Sequence, residues 1–231
     1  MQLRRVAAGD RAPLLRFYRP PATVAFSRRE RVLPGFERAV EAARRRGFEP
    51  VLRAAGGRVV AYHSNCLILD EIGRSADALS GQRSRFAQRA ADHVRALREL
   101  GVDARVGAVP GEYCPGEFSI NARGAVKLAG SAQRMVRGAW LLATVFVVAD
   151  TEPLRAVLAE VQAALGLRWD PATLGAVAQE APGVSVQHVQ EALVASYRRA
   201  GGLLPTVLSG RELALAGDAL PEHRLPAVDP A

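Results

Sequence analysis

Two hydrophobic periods alternate along the chain, and each change of period marks an element. ATVAFS at 22–27 has the β-branched and aromatic make-up of a strand. From Pro34 to Arg46 the period lengthens to that of a helix: Phe36, Val40 and Ala43 share one face, Pro34 suits the first turn and Gly47 the C-terminal cap. Residues 48–72 predict a strand, a Gly-Gly turn and two further short strands. Ser75 to Leu100 predicts one long amphipathic helix, with Leu79, Phe86, Ala90, Val94 and Leu97 on its apolar side and Gly101 as its stop. VDARVGAV at 102–109 opens a second β-rich stretch that ends with WLLATVFVVAD at 140–150.

Within that stretch FSINARGAVKLAGSAQR predicts a hairpin. Phe118 and Ile120 alternate on one side, Asn121 to Gly124 turn the chain, and Val126 begins the return strand. Beyond Asp150 the alternation ceases. Helices are expected over 152–165, 171–179 and 186–200, the last with Ser185 as N-cap and Gly201 as terminator. The tail from Pro205 is expected to wrap the surface. Strand runs interrupted by helices and closed by helices predict an α+β fold, a mixed and mainly antiparallel sheet flanked by helices with a helical C-terminal segment. The expected division is a catalytic core over 1–150 and a helical extension over 151–231 packed on it.

Composition adds limits to this outline. At 231 residues, 49% hydrophobic and 23% charged, the chain can bury a sizeable core. Its longest apolar stretch, Ala139 to Ala149, falls short of the roughly 20 residues that cross a bilayer and reads as a buried strand. Asp10, Arg11 and Pro13 interrupt the N-terminal residues, so neither a signal peptide nor a membrane anchor is expected, and the expected compartment is the cytoplasm. A formal net charge of +8 favours acidic partners. The basic residues are spread from Arg4 to Arg224 and aromatics are only 6%, a pattern that argues against nucleic acid.

Lys127 is the only lysine; the other 30 of the 31 basic residues are arginines. Arginine can replace lysine wherever a solvated charge suffices, but not where chemistry needs a compact ammonium with rotatable donors. The two cysteines differ in setting. Cys66 lies in the apolar run NCLILD and reads as inert core, whereas Cys114 lies on a loop bracketed by Gly111, Pro115 and Gly116, where a thiol can be exposed and reactive. A cation near Cys114 would favour its nucleophilic thiolate, and small residues at Ala129, Gly130 and Ser131 would let a ligand approach the backbone beside Lys127. No metal site is expected.

Two segments together resemble the family of lipoate-protein ligases, octanoyltransferases and biotin-protein ligases. One is the turn Arg53, Gly56, Gly57 with His63 downstream; the other is the run from Lys127 through Gly130, Ser131 and Ala132 to Gln133. The resemblance spans roughly residues 20–150 and implies an acyl tunnel against the Gly-Gly turn, with Lys127 at the acyl carbonyl or an adenylate phosphate. GEYCPGEFSIN is most similar to the cysteine-dependent octanoyltransferases and amidotransferases, whose nucleophile matches Cys114. That implies a Cys114 thioester intermediate, no cofactor, and transfer to a lysine of an acidic lipoyl-carrier domain or glycine-cleavage carrier protein, with acyl carrier protein as a donor and the enzyme a monomer. Two alternatives stay open. One is an ATP- and magnesium-dependent lipoate ligase, against which Ala55 replaces the third glycine that such ligases usually carry and the chain lacks room for a large C-terminal accessory domain. The other is a catalytically silent acyl-binding module.

Overall fold

The computed structural model describes residues 1–225. A short helix α1 (Gln2–Ala8) leads into β1 (Leu14–Tyr18) and β2 (Thr23–Phe26), then helix α2 (Phe36–Arg45) and β3 (Glu49–Leu52), β4 (Val60–Tyr62) and β5 (Cys66–Arg74). Helix α3 (Gln82–Glu99) is followed by β6 (Ala104–Val106), β7 (Ile120–Ala122), β8 (Val126–Val136) and β9 (Ala139–Val147). The chain closes with α4 (Glu152–Ala164), α5 (Val177–Glu180), α6 (Val186–Ala200) and α7 (Gly210–Ala219).

The strands sort into two sheets. The large one is antiparallel throughout, in the order β1-β5-β9-β8-β7-β6; the small one, β3-β2-β4, pairs β2 with β3 in parallel and with β4 antiparallel. This is the mixed, mainly antiparallel α+β arrangement that the hydrophobic pattern predicts. Helices α3 and α6 cover one face of the large sheet, where Leu67, Leu69, Phe146, Leu97 and Leu193 are fully or almost fully buried. Against the small sheet pack α2 and α4, with Phe26, Val40, Leu154, Leu158 and Val161 in a second core that Cys66 and Val147 join from the end of the large sheet. Helix α1 covers one further corner through Leu3, Val6, Ile72 and Ala139.

Several local expectations need correction. The chain over 75–81 turns instead of entering a helix: the Asp77 carboxylate accepts the Ser80 N–H at 3.1 Å, α3 starts only after Gly81, and Leu79 is 70% exposed. The 171–179 segment is not one helix. A single 3₁₀ turn at Pro171–Thr173 stops where Gly175 presses on Val126 and donates its N–H to the Lys127 carbonyl, and α5 begins two residues later. The Gly-Gly turn joins β3 to β4 as expected, and because β2 lies between those two strands the turn passes over the end of β2. Phe118 precedes β7 and stacks on Phe86 of α3 with ring centroids 5.7 Å apart. The tail carries α7, which is held to α1 by the buried Glu212 accepting from Gln2, Arg5 and Arg11, and Arg224 bridges to Val51 at the edge of β3. The last prolines, Pro226 and Pro230, lie outside the described residues.

Candidate active site

Residue parity on β8 sets the site. Ala122 faces Val126 and Asn121 faces Lys127, but Ile120 faces Ala129, so Leu128 is one residue too many on β8 and makes a β-bulge. Leu128 and Ala129 therefore both point into the α3–α6 core, and Lys127 shares the opposite face with Gly130. A Cβ on Gly130 would lie 3.1 Å from Lys127 Cε and 3.3 Å from Nζ. The glycine leaves open the space directly beside the ammonium.

Lys127 is 2% exposed, and a charge that is so deeply buried needs a partner. Glu112, 1% exposed, is that partner at 3.3 Å from Nζ. The same carboxylate accepts the N–H of Gly116 at 2.8 Å, the Ser119 hydroxyl at 2.7 Å and the N–H of Val109 at 3.2 Å. One acid therefore folds the 109–119 loop around itself and ties it to β8. Nζ also donates to the Cys114 carbonyl and stands 5.0 Å from the centre of the Tyr113 ring. Tyr113 is wedged edge-on against Trp169, and Gln162 of α4 donates to its carbonyl at 3.0 Å, so burial pushes its phenol well above the ordinary range.

Cys114 sits at the rim of this buried base and is partly exposed. Its Sγ accepts the N–H of Arg58 at 3.3 Å, and a Cβ on Gly57 would be 3.4 Å from it. Gly57 has φ +95°, a conformation that glycine adopts without strain. Three segments distant in sequence thus meet: the 53–58 turn, the 109–119 loop and β8. Lys127 binds the main chain of Cys114, and the donor to the sulfur is the Arg58 amide.

The remaining expected site residues divide. Arg53 donates to the Arg58 carbonyl, its Nε is buried without a partner, and with Gly56, Gly57, Arg28 and Arg29 it lines a small concavity beside the thiol. Ala132 lies on the same face as Gly130. Ser131 and Gln133 point the other way: the Ser131 hydroxyl bonds Thr144 at 2.8 Å, and Gln133 donates to the Gln82 carbonyl and accepts from Arg85 at the start of α3. His63 is committed at both ring nitrogens, Nδ1 accepting from Asn65 N–H at 3.0 Å, which leaves Nε2 to donate to the Asp150 carbonyl at 2.8 Å. It buttresses the β4–β5 turn. Residues that the sequence did not single out are Glu112 and Arg134, whose guanidinium reaches across to the Ala54 carbonyl at 2.9 Å.

Residues 1–198 match the model of the lipoyl protein ligase A/B catalytic domain. The chain belongs to that family. It is 30% identical over 137 residues to an octanoyl-[GcvH]:protein N-octanoyltransferase of Geobacillus kaustophilus, a match that covers 58% of this chain and 47% of the relative. An enzyme of the same description from Exiguobacterium sibiricum is 33% identical over 121 residues, 50% of this chain and 42% of that one. The chain thus spans about half the length of the curated relatives it matches. In fold it is similar to lipoate-protein ligase A bound with ATP, with a TM-score of 0.75 at 21% identity over 95% of this chain and 87% of that one. A bi-partite lipoate protein ligase from Thermoplasma acidophilum, studied with its E2 lipoyl domain, gives a TM-score of 0.69 at 21% identity over 95% of this chain and 86% of that one. Family and fold agree with the resemblance carried by the Gly-Gly turn and the Lys127 segment.

Proposed function

We propose that this chain moves an octanoyl group onto a lysine of a lipoyl-carrier protein through a thioester on Cys114. The observation that carries the reading is the junction at Cys114, a partly exposed thiol between the Gly57–Arg58 turn and a buried Lys127–Glu112 pair. In the first half-reaction Sγ attacks the carbonyl carbon of an octanoyl carrier, the carbon–nitrogen or carbon–sulfur bond to the donor breaks, and the departing amine or thiol takes up the proton. In the second, the acceptor lysine amine attacks the thioester, loses a proton and releases the thiol. Lys127 Nζ has one of its three N–H groups on Glu112 and one on the Cys114 carbonyl. The third is free to meet the developing oxyanion in the space above Gly130.

The relatives are named for transfer from octanoyl-GcvH to protein, so a glycine-cleavage carrier protein as donor and a lipoyl domain as acceptor fit the reading, with acyl carrier protein a second possible donor. Arg28, Arg29 and Arg58 around the thiol suit an acidic carrier surface. We assign the chemistry to residues 1–150, acting as a cytoplasmic monomer without cofactor. The ligase alternative would use Arg28, Arg29 and Arg53 to hold the phosphates of ATP, and the unpartnered Arg53 Nε fits an anion there.

The test is incubation of the full chain with an octanoyl carrier and no ATP. An intact mass raised by one octanoyl group, lost in Cys114→Ala, supports the thioester. Octanoylation of a lipoyl domain that needs ATP and survives Cys114→Ala would establish the ligase instead, and neither product would leave an acyl-binding module.

A further inference from the structure

The face of the large sheet that carries Lys127 bears a row of small, partly exposed residues that ends in charge. By strand register, Gly130 on β8 lies opposite Val145 on β9, and Ala132 opposite Ala143. Val145 lies opposite Ile68 and Ala143 opposite Asp70 on β5; Ile68 then meets Tyr18 and Asp70 meets Arg16 on β1. Gly130, Ala132, Ala143 and Val145 are all incompletely covered, whereas their neighbours Ala129, Phe146 and Leu69 on the helix-covered face are sealed. Central strand positions usually carry larger side chains, so three adjacent small ones leave a channel across β8 and β9. At β5 the channel meets Asp70, 7% exposed, with Arg16 Nη2 at 2.5 Å from its Oδ2. The Arg16 guanidinium in turn lies over the Tyr18 ring, 4.4 Å from its centre. Nothing in the acyl-transfer step uses these groups.

From Gly130, beside which Lys127 Nζ lies, to Asp70 is two strand spacings across and two residues along, about 12 Å, the room that an extended eight-carbon acyl group needs when its carbonyl meets the ammonium. We infer that the Arg16–Asp70 pair is the chain-length stop of the acyl trough, a specificity determinant that admits octanoyl and rejects longer chains. The inference rests on the acyl-transfer reading of Cys114 and Lys127. A further methylene would have to strip an ion pair of its remaining water or force the two charges apart, and hydrocarbon supplies no hydrogen bond in exchange. The pair therefore acts on selectivity without touching the reacting carbonyl.

The experiment follows loading of Cys114 by mass, using the full chain and hexanoyl, octanoyl, decanoyl and dodecanoyl thioesters of N-acetylcysteamine. The native chain should load octanoyl about tenfold or more faster than decanoyl, the usual scale for one or two methylenes that do not fit. The double variant Arg16→Met/Asp70→Leu removes both charges, so neither is left unpaired, and should bring decanoyl to within about threefold of octanoyl. Arg16→Gln/Asp70→Asn keeps a hydrogen bond at the same place and should move the ratio in the same direction by less; it decides the matter if the apolar pair does not fold. Intact octanoyl loading with an unchanged chain-length ratio in the folded variants overturns the stop and leaves acyl transfer standing. No loading of the native chain by any thioester or by an octanoyl carrier overturns acyl transfer itself, and the stop with it.

Discussion

Replacing Lys127 separates its charge from its shape. In Lys127→Arg the guanidinium keeps a positive charge against Glu112, whose carboxylate stands 3.3 Å from the native ammonium, so the 109–119 loop should stay folded. The planar head is wider, however, and the room beside Nζ exists only because residue 130 is glycine, with 3.3 Å from Nζ to the place of a Cβ. It would fill the space where the acyl oxygen is to sit. Loss of one oxyanion donor costs about 2.7–4 kcal/mol of barrier, roughly a hundred- to a thousand-fold in rate. Lys127→Met differs in kind. It strands a fully buried Glu112, and removing one partner of a buried pair costs about 3–5 kcal/mol. Glu112 keeps its bonds from Gly116 and Ser119, which places the loss near the lower end, and about 3 kcal/mol lowers the melting temperature by roughly 6–12 °C in a chain of this size. Single-turnover transfer from an octanoyl carrier to a lipoyl domain, with thermal melts alongside, reads both quantities. Lys127→Arg retaining most of the native rate would refute the role given to the ammonium, and equal melts for the two variants would refute the pairing with Glu112.

Other outcomes follow from the same geometry. Burial pushes the Cys66 thiol up to about 12, so iodoacetamide at pH 8 should alkylate Cys114 and spare Cys66 in the folded chain; comparable labelling of both would show that the core around Cys66 opens. His93 is held neutral, first by burial and then by Arg89, with its value lowered to about 3. Because the unfolded chain binds that proton at about pH 6.5, stability is fully present above 6.5 and falls as pH drops toward 3, by roughly 2 kcal/mol at pH 5. His93→Gln should remove that part of the acid sensitivity in denaturant titrations, and an unchanged pH slope would contradict it. Raising ionic strength should slow association with an acidic carrier far more than it alters dissociation, measured by surface-based kinetics; salt-independent association would mean the +8 charge serves another purpose.

The outline of the fold was legible because it depends on local periodicity. The β9 run WLLATVFVV and the helix at Pro34–Arg46 are recognisable from spacing alone, and Gly47, with φ +77°, stands at the helix end as expected. Cys114 and Lys127 could be singled out because each is anomalous, a thiol between glycines and a solitary lysine. Glu112 could not. An acid in a Pro-Gly loop looks like a solvated turn residue, and its burial comes from Lys127, fifteen positions away in the chain, and from the loop closing over it. His63 carried a motif-level expectation that its hydrogen bonds redirect: with both nitrogens occupied by backbone groups, it orients a turn. The Gly-Gly turn falls between two strands as expected, but pairing partners are a non-local property, and nothing in 48–72 announces that β2 will lie between β3 and β4.

The bulge at Leu128 makes the Lys127–Gln133 segment two interleaved messages instead of one. Lys127, Gly130 and Ala132 lie on the face proposed to hold the acyl group, while Leu128, Ala129, Ser131 and Gln133 lie on the face that the helices cover. Were the strand to alternate regularly through Leu128, without the bulge, every letter would stay in place yet the two readers would be exchanged, Gly130 turning inward and Ala129 toward the ammonium. Tolerance to substitution should therefore divide along the same line, Ser131 varying with Thr144 and Gln133 with the start of α3, and Gly130 and Ala132 with the space that the proposed acyl site needs.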